Sequence, residues 1–414
     1  MYGPSIMDRP TAAGGGQAEA VLEELARAGA GGAGPWRQFR PPRLAGRSSV
    51  FFVETVSPVG GGSRLVVKRA RPDWSQDDLA SPVMAGQEFQ ALARLHAHFV
   101  ELGGRGRVPR PVAMLDELEA FAMEYVPGRS LRDLLGYRSL LRPGRLLDGL
   151  AAAAEFLRQV HDLETLPTVP VDLRAEADAV LSLAEQKLSP EGLALPRSVT
   201  RVLGQVPSVM AEARQVWLHG DFGPTNIILA EDGSTVGIDP ALNTLGPPEE
   251  DLARFVALMS GAICFAPEIV APPVRRVRRR LEKQLLRSYY ATTSFPPLFD
   301  LKLLHQLVGR WLRLRELAQQ FEKRSRLPLR LRVVGAQMHL LMRDSSRRLV
   351  QSMADETSMV TGSPQRPYAV TRVSDHATES GEPGSVDRGG DRGSDRFSRE
   401  RTSPRAGQPP ADRA

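Results

Sequence analysis

The sequence predicts a mixed α/β fold in which a small β-rich N-terminal lobe precedes a larger helical C-terminal lobe. Short runs rich in Val, Phe and Leu, which are typical of strands, dominate residues 49–126. Apolar residues recur at helical spacing over most of residues 144–353. Three short strand-like runs within residues 216–238 interrupt the helices and enclose a polar loop. A small sheet with one helix, followed by helices around a loop-bearing hairpin, accounts for all three patterns.

The composition is that of a globular protein. The chain has 414 residues, of which 42% are hydrophobic and 25% charged. The longest uncharged apolar window, residues 255–267, has 13 residues, fewer than the ~18 that a membrane-spanning helix needs. The N-terminus lacks a secretory pattern, and the single cysteine, Cys264, has no disulfide or metal-ligand partner. We therefore expect a cytoplasmic protein without a membrane span.

The elements of the N-terminal lobe follow from local patterns. Residues 17–29 have the spacing of a short amphipathic helix, and residues 31–43 form a Gly- and Pro-rich connector. Residues 49–56 and 64–70 are predicted strands, and the glycine-rich turn between them favours a hairpin. Residues 84–100 repeat apolar residues at helical spacing and predict a helix against this hairpin.

The remaining elements are mainly helical. Two more strands, at 112–115 and 119–126, complete the first lobe. Helices are predicted at 131–135, 144–161, 173–187 and 197–214, and from 249 to about 353 with a break near 295–297. Three strands at 216–218, 227–229 and 236–238 lie between these groups of helices. The helical lobe is thus built around a short β-hairpin.

Composition also indicates the domain boundaries. Beyond about residue 361 the chain is rich in Gly, Ser, Pro, Arg and Asp, and such a segment buries too little apolar surface to fold. We divide the chain into an N-terminal extension with a short helix (1–37), an N-terminal lobe (38–126), a C-terminal helical lobe (127–353) and a disordered tail (354–414). No internal repeat is visible.

One loop carries the residues best suited to chemistry. His219, Asp221 and Asn226 stand in the pattern H-G-D-x-x-x-x-N between two strand-like runs, and Asp239 ends the next strand. A hairpin that returns after Asn226 places Asp239 beside it at one edge of the sheet. Two hard oxygen ligands, completed by phosphate oxygens and water, suit Mg²⁺, while Asp221 stays free to accept a proton from an attacking hydroxyl. These are the parts that a phosphoryl-transfer site requires.

This segment resembles the catalytic and metal-binding segments of the aminoglycoside phosphotransferase/choline kinase family, whose members are relatives of protein kinases. The resemblance covers about residues 38–350 and implies a two-lobed protein-kinase-like fold. It implies that Asp221 is the catalytic base and that Asn226 and Asp239 bind magnesium. His219, the other residue of the catalytic motif, is implied to support the loop rather than to do chemistry.

The resemblance extends upstream of this loop. It implies that Lys68, on the second strand of the hairpin, contacts the α- and β-phosphates of a nucleotide, with Glu88 as its ion-pair partner. The turn before the first predicted strand occupies the place of a phosphate-covering loop, where Ser48 and Ser49 offer hydroxyl and backbone donors. The run from Glu124 to Val126 corresponds to the hinge between the lobes, whose backbone is implied to bind adenine.

The function implied is transfer of the γ-phosphoryl group of ATP or GTP to a hydroxyl of a small molecule, assisted by Mg²⁺. A sugar, an amino sugar or an amino alcohol fits as the acceptor. The alternative is a catalytically inactive, kinase-like scaffold that binds nucleotide. The presence of Lys68, Asp221, Asn226 and Asp239 argues against it, because a degenerate site usually lacks at least one of them.

The charge distribution bears on partners but leaves the acceptor open. The net charge is +6, yet residues 271–350 hold 19 basic and 5 acidic residues, while residues 1–270 hold 26 basic and 33 acidic ones. No aromatic residues are interleaved with the basic ones, so we do not expect a nucleic acid partner. Asp172, Glu176 and Asp178 could hold an amine-bearing acceptor or form a solvated helix start. The basic block instead favours an anionic acceptor.

Overall fold

The computed structural model describes residues 15–30, 35–45, 48–56, 62–70, 85–136, 143–187, 195–263, 272–292, 295–322 and 329–361. All of these belong to one compact unit, residues 1–363. Most of the residues of the predicted tail and the first 14 residues lie outside the described ranges. Within the described residues, no helix combines the length and the apolar character needed to cross a membrane.

The N-terminal part is a five-stranded antiparallel sheet with two helices. Its elements are α1 (Gly15–Arg27), β1 (Trp36–Ala45), β2 (Ser48–Thr55), β3 (Arg64–Ala70), α2 (Ala85–Leu102), β4 (Gly106–Arg107), β5 (Pro111–Leu115) and β6 (Ala120–Glu124). The strand order is β1-β2-β3-β6-β5, and β4 belongs to a second sheet. The predicted β2–β3 hairpin, helix α2 and strands β5 and β6 are confirmed.

The predicted connector at residues 31–43 is wrong for most of its length, because β1 is an edge strand paired with β2. Proline cannot donate to a strand ladder, which is why the Pro41-Pro42 pair pointed to a connector. An edge strand tolerates proline at an irregularity, and the register of β1 shifts between Arg40 and Arg43, where the two prolines lie. Trp36 is buried beneath α1 with Leu25 and gives this strand its core contact.

The helical lobe follows, with its own small sheets. Its elements are β7 (Gly128–Ser130), α3 (Leu131–Leu134), α4 (Gly144–His161), β8 (Thr168–Asp172), α5 (Leu173–Lys187), α6 (Arg197–Gly204), β9 (Met210–Arg214), β10 (Val216–Trp217), β11 (Ile227–Ala230), β12 (Thr235–Gly237), β13 (Leu245–Gly246), α7 (Glu249–Ile263), α8 (Pro272–Tyr290), α9 (Pro297–Glu322) and α10 (Leu329–Thr361). The prediction of a mixed α/β fold with a β-rich first part and a helical second part is confirmed.

The predicted helix 197–214 is wrong in its second half. Helix α6 ends at Gly204, and residues Met210–Arg214 form β9, which pairs antiparallel with β8. Gly204 and Pro207 interrupt the helical pattern, since both residues are poor in a helix interior. The partner strand β8 had no local signal, and only the long-range pairing between the two segments defines them as strands.

The core of the helical lobe is one large apolar cluster that also contains the inner face of α2. Helix α4 lies in the middle of it, with Leu150, Ala153, Phe156 and Leu157 all buried. The ring of Phe156 stacks on Phe99 of α2, with centroids 5.1 Å apart. The two lobes therefore share apolar contacts along α2 and α4, which hold the sheet edges of both lobes next to the candidate site.

Candidate active site

The loop between β10 and β11 presents the motif residues. The side-chain amide of Asn226 donates to the backbone oxygen of Asp221 at 2.8 Å and to its carboxylate Oδ2 at 3.0 Å. The Asn226 backbone N–H closes the loop onto the Gly223 carbonyl at 2.9 Å. The side chain of Asp221 is 52% exposed. The loop thus directs one carboxylate to solvent and locks the amide beside it.

The loop requires a glycine between His219 and Asp221. Gly220 has φ +81°, a left-handed conformation that costs little only for glycine. A Cβ at this position would lie 2.9 Å from the Ala241 side chain. Ala241 cannot retreat, because its N–H donates to the His219 carbonyl at 2.8 Å. The pattern H-G-D therefore reflects a backbone constraint at its central residue.

A buried carboxylate supports this loop from behind. Asp251, in the first turn of α7, accepts hydrogen bonds from the backbone N–H groups of His219 (2.7 Å) and Gly220 (3.1 Å). His161 Nε2 lies 3.1 Å from the same carboxylate, and His161 Nδ1 lies 2.6 Å from the hydroxyl of Tyr289. Burial alone would raise the pKa of Asp251, but the hydrogen bonds, first that of His161, hold it below its usual value. Asp251 therefore supplies a fixed negative charge that positions the loop.

His219 is completely buried and contacts the site only through its backbone. Its ring packs edge-to-face on Phe156 and Phe222, and neither ring nitrogen has a hydrogen-bond partner among the described residues. Burial lowers its pKa, so the ring is neutral at pH 7. This location agrees with a supporting part for His219 in the loop.

The hairpin places Asn226 opposite Ile238, the residue that precedes Asp239. Ile227 on β11 pairs with Gly237 on β12, and the Ile238 N–H donates to the Asn226 carbonyl at 2.9 Å. Asp239 then turns away from the strand with φ +58°, a region that costs about 1–2 kcal/mol for a non-glycine residue. Such strain concentrates at functional sites.

Lys68 links the two lobes at this point. Its ammonium on β3 forms an ion pair with Glu88 of α2 and lies 3.1 Å from Asp239 Oδ1. The Lys68 side chain is only 12% exposed. Burial lowers its pKa, but the carboxylates of Asp239 and Glu88 outweigh burial and raise it to about 12. Lys68 is therefore a permanent cation beside Asp239.

The donor set fits a hard divalent cation that is completed by phosphate. The side-chain N–H groups of Asn226 donate to Asp221, so the side-chain oxygen of Asn226, Oδ1, is the atom left for a ligand. Asp239 contributes a carboxylate that is 31% exposed. Among the described residues no cluster of three His, Cys, Asp or Glu side chains could hold a metal ion. Because Mg²⁺ commonly takes one or two protein ligands and fills its shell with phosphate and water, these two residues suit it.

The segment corresponding to the hinge lies between β6 and β7. The backbone N–H of Glu124 donates to the Arg110 carbonyl at 2.9 Å, and that of Tyr125 to the Arg64 carbonyl at 3.0 Å. The N–H of Val126 has no such partner among the described residues. The Glu124 carboxylate forms an ion pair with Arg107 at 3.0 Å. The hinge thus leaves one backbone donor for a ligand.

Ser48 and Ser49 begin β2 instead of lying in a turn before the first strand. They pair with Ala45 and Leu44 of β1 on one side and with β3 on the other. The predicted phosphate-covering turn is therefore a β1–β2 hairpin whose tip, residues 46 and 47, lies outside the described residues. Both serines lie on β2, and the residue after them, Val50, pairs with Lys68 on β3.

Asp221 is not free, which the sequence did not predict. Arg254 on α7 donates from Nε to Asp221 Oδ1 at 3.1 Å and forms a second contact through Nη2. Arg254 follows Asp251 by three residues, so the two side chains leave the same face of the helix. Asp251 accepts hydrogen bonds from the backbone of the loop, and Arg254 contacts the Asp221 carboxylate.

The acidic residues considered for an amine-bearing acceptor all have internal partners. Asp172 accepts from the Arg174 backbone N–H at 2.9 Å and so caps the start of α5. Asp178 forms an ion pair with Arg174, and Glu176 with Lys302 at 2.9 Å. None of the three presents an unpaired carboxylate.

Comparison with known proteins identifies the family to which this chain is similar. The sequence profile described as the phosphotransferase enzyme family matches residues 40–291. No curated protein matches this chain. Similar solved structures include amicoumacin kinase with AMP-PNP, Ca²⁺ and Ami (13% identity, 79% of this chain and 93% of that one, TM-score 0.46) and a choline/ethanolamine kinase family protein from Mesorhizobium loti (14%, 80% and 98%, 0.45). Glucosamine kinase is a third (19%, 81% and 88%, 0.45).

Proposed function

This chain belongs to the phosphotransferase enzyme family, and on that premise we propose that it transfers the γ-phosphoryl group of ATP or GTP to a hydroxyl of a small molecule. The family makes it a phosphotransferase that acts on hydroxyl groups of small molecules. The nucleotide, the magnesium ion and the residues of the reaction are the proposal. Each rests on contacts around the β11–β12 hairpin.

The observation that carries the proposal is the contact between Lys68 and Asp239 at 3.1 Å. It joins the Lys68–Glu88 pair of the first lobe to the hairpin edge that bears Asn226. A cation and two hard oxygen ligands at one edge form a binding place for a triphosphate with its metal ion. The same contact explains why a lysine remains charged although it is largely buried.

Asn226 and Asp239 would hold Mg²⁺ in this site. When bound, the ion neutralises charge that develops on the transferred phosphoryl group. Lys68 binds the non-reacting phosphates, because its ammonium is positioned by Glu88 and cannot lose its proton near neutral pH. The hinge would offer the unused N–H of Val126 to the nucleotide base, and Ser48 and Ser49 on β2 would offer hydroxyl donors to the phosphates.

Asp221 orients the acceptor hydroxyl and takes its proton. Its carboxylate is the exposed one in the loop, and Asn226 and Arg254 fix its orientation. Such an orientation supplies much of the rate, because little covalent chemistry falls to the protein in phosphoryl transfer. His219 and Asp251 hold the loop in place, His219 through the packing of its buried ring and Asp251 through hydrogen bonds to the loop backbone.

We expect Asp221→Asn to lower kcat by about 10²–10⁴, the usual contribution of a general base, while nucleotide affinity is retained. The measurement is a phosphorylation screen with labelled ATP over sugars, amino sugars, amino alcohols and nucleosides, followed by titration of the nucleotide with and without Mg²⁺. Asp116→Asn, an exposed aspartate after β5, is the matched control and should behave as the unchanged protein.

Three outcomes would count against the proposal. Nucleotide binding that does not depend on Mg²⁺ would contradict the assignment of Asn226 and Asp239 as metal ligands. Unchanged turnover in Asp221→Asn would contradict the assignment of Asp221 as the catalytic base. Nucleotide binding without transfer to any acceptor would instead favour a scaffold that binds nucleotide.

A further inference from the structure

A cavity of about 250 Å³ lies between α5, α7 and α9, next to the catalytic loop. Its charged lining residues within the described chain are three arginines, Arg254, Arg310 and Arg313, and we call it the arginine cavity. Leu183 of α5 closes one side, and His305 and Gln306 contribute polar groups. The cavity is smaller than the ~300–1,000 Å³ of pockets for drug-sized ligands. It therefore suits a ligand of about monosaccharide size.

The arginine cavity adjoins the proposed base directly. Arg254 lines it and at the same time contacts Asp221 Oδ1, at 3.1 Å through Nε. A ligand in the cavity is therefore separated from the Asp221 carboxylate by one side chain. An acceptor whose anionic group lies in the cavity and whose hydroxyl extends past Arg254 would reach Asp221.

Two of the arginines, Arg310 and Arg313, form no ion pair with a described residue, although the Asp221 carboxylate is near enough to oppose the lowering of the Arg310 pKa. Arg310 Nε is buried without a hydrogen-bond partner among the described residues. Burial, followed by the charges of Arg254 and Arg313, lowers the pKa of Arg310 to about 10. A buried guanidinium without partners is unfavourable. A ligand that supplies negative oxygens would give Arg310 and Arg313 the partner they lack and could also contact Arg254, which is already paired with Asp221.

The acidic groups nearby share one cationic partner. Lys302 on α9 lies 2.9 Å from carboxylate oxygens of both Glu176 and Glu250. Burial lowers the pKa of His305, so that ring is neutral at pH 7. No carboxylate lines the cavity among the described residues. An amine-bearing acceptor would meet the guanidinium groups of Arg310 and Arg313, which disfavours it electrostatically.

We propose that the acceptor is an anionic alcohol, with a phosphate or carboxylate held by Arg254, Arg310 and Arg313 and a hydroxyl beside Asp221. His305 and Gln306 offer neutral hydrogen-bonding groups for the remainder of such a molecule. This inference rests on the proposed function and names its substrate class. In the step, the acceptor oxygen forms a bond to Pγ, the bond between Pγ and the β–γ bridging oxygen breaks, the proton passes to Asp221, and the nucleoside diphosphate leaves.

The test compares sugars that share one ring and differ in charge: glucose 6-phosphate, glucuronate, glucose and glucosamine. Calorimetric titration into the full chain, free of nucleotide and again with AMP-PNP and Mg²⁺, gives their affinities. We expect the two anions to bind about tenfold or more tightly than glucose, and glucosamine least of all. Vesicles with and without phosphatidylinositol distinguish a lipid headgroup from a soluble anion as the source of the charge.

The double variant Arg310→Gln, Arg313→Gln should lose the preference for the anions, with affinity for glucose 6-phosphate weakened about tenfold or more. Arg276→Gln removes the same charge from an exposed position on α8 and should keep the preference. Inorganic phosphate, titrated into the same proteins with AMP-PNP bound, should follow the same order. Reversed-phase separation of products then shows which sugar receives the phosphoryl group.

Several results would overturn the inference. They are equal affinity for all four sugars, tighter binding of glucosamine, absence of phosphate binding at low ionic strength, and an anion preference that survives the double variant. Failure of AMP-PNP to bind would count instead against the proposed function, because the sugar titrations without nucleotide test the cavity alone. The two failures are therefore distinguishable.

Discussion

Two groups of arginines in the helical lobe differ in one respect, the presence of a carboxylate in contact with each guanidinium. In the arginine cavity, Arg310 and Arg313 have no carboxylate partner among the described residues. In a second group, which we call the paired network, arginines and carboxylates alternate. Its members are Arg278, Glu282, Asp300, Asp344 and Arg348.

The paired network is closed within the protein. Arg278 lies 3.1 Å from Glu282 and 2.9 Å from Asp344, and Arg348 lies 2.6 Å from Glu282 and 2.8 Å from Asp300. Each carboxylate of this network is at most 5% exposed. Charges buried in this way hold α8, α9 and α10 together and leave nothing for a ligand. The comparison indicates that a buried arginine paired with carboxylates stabilises the fold, whereas an arginine without such a partner indicates a binding site for an anionic ligand.

The largest expected effect is on the paired network. Arg348→Met leaves the buried Asp300 carboxylate with only the Ser345 hydroxyl, 3.1 Å away, as a described side-chain partner. Breaking a buried ion pair costs about 3–5 kcal/mol of unfolding free energy, which denaturant titration measures. The double variant Arg348→Met, Asp300→Leu should recover part of that loss. A loss below about 1 kcal/mol in the single variant would show that the network does not stabilise the fold.

A smaller effect concerns acid stability. Burial opposes ionisation of Asp344, but the hydrogen bond from Arg275 and the charge of Arg279 hold its pKa below the usual 3.8. Its folded pKa is lower than its unfolded pKa, so its contribution is present above pH 3.8 and is lost as the pH falls through the folded value.

Asp344→Asn should therefore lower the unfolding free energy at pH 7 by about 2 kcal/mol, a typical value for hydrogen bonds to a charged group. Denaturant titrations at several pH values should show this difference shrinking below pH 3.8. Asp116→Asn is the exposed control and should show no such change. A difference that stays constant with pH would contradict the assignment.

Much of the fold and of the motif geometry followed from local sequence. Helix α4 begins and ends at the predicted residues, and the pairing of β11 with β12 places Asn226 opposite Ile238, the residue before Asp239. Strand β1 was missed because its prolines imitate a loop. Strands β8 and β9 were missed because each is defined only by its distant partner.

The arginine cavity could not be separated from the basic block by sequence. Arg310 and Arg313 are three residues apart on α9, and such spacing is the same for a solvated helix face. The charge count of residues 271–350 includes the paired network and two of the three cavity arginines, Arg310 and Arg313. Only the three-dimensional contacts distinguish them. Arg254 had one signal, its position one helical turn after Asp251.

The smallest expected effect concerns Arg310 of the arginine cavity, which has no ion-pair partner among the described residues. Arg310→Met removes a largely buried charge that has no described partner, so we expect the unfolding free energy to rise by about 1 kcal/mol at pH 7. The folded pKa of Arg310, about 10, lies below its usual value. The unfolded chain therefore binds more protons, the unchanged protein gains stability above pH 10, and the advantage of the variant should shrink there. Denaturant titration at pH 7 and pH 10.5 measures both effects, with Arg276→Met, at an exposed position on α8, as control. A loss of more than about 1 kcal/mol would place Arg310 with the paired arginines.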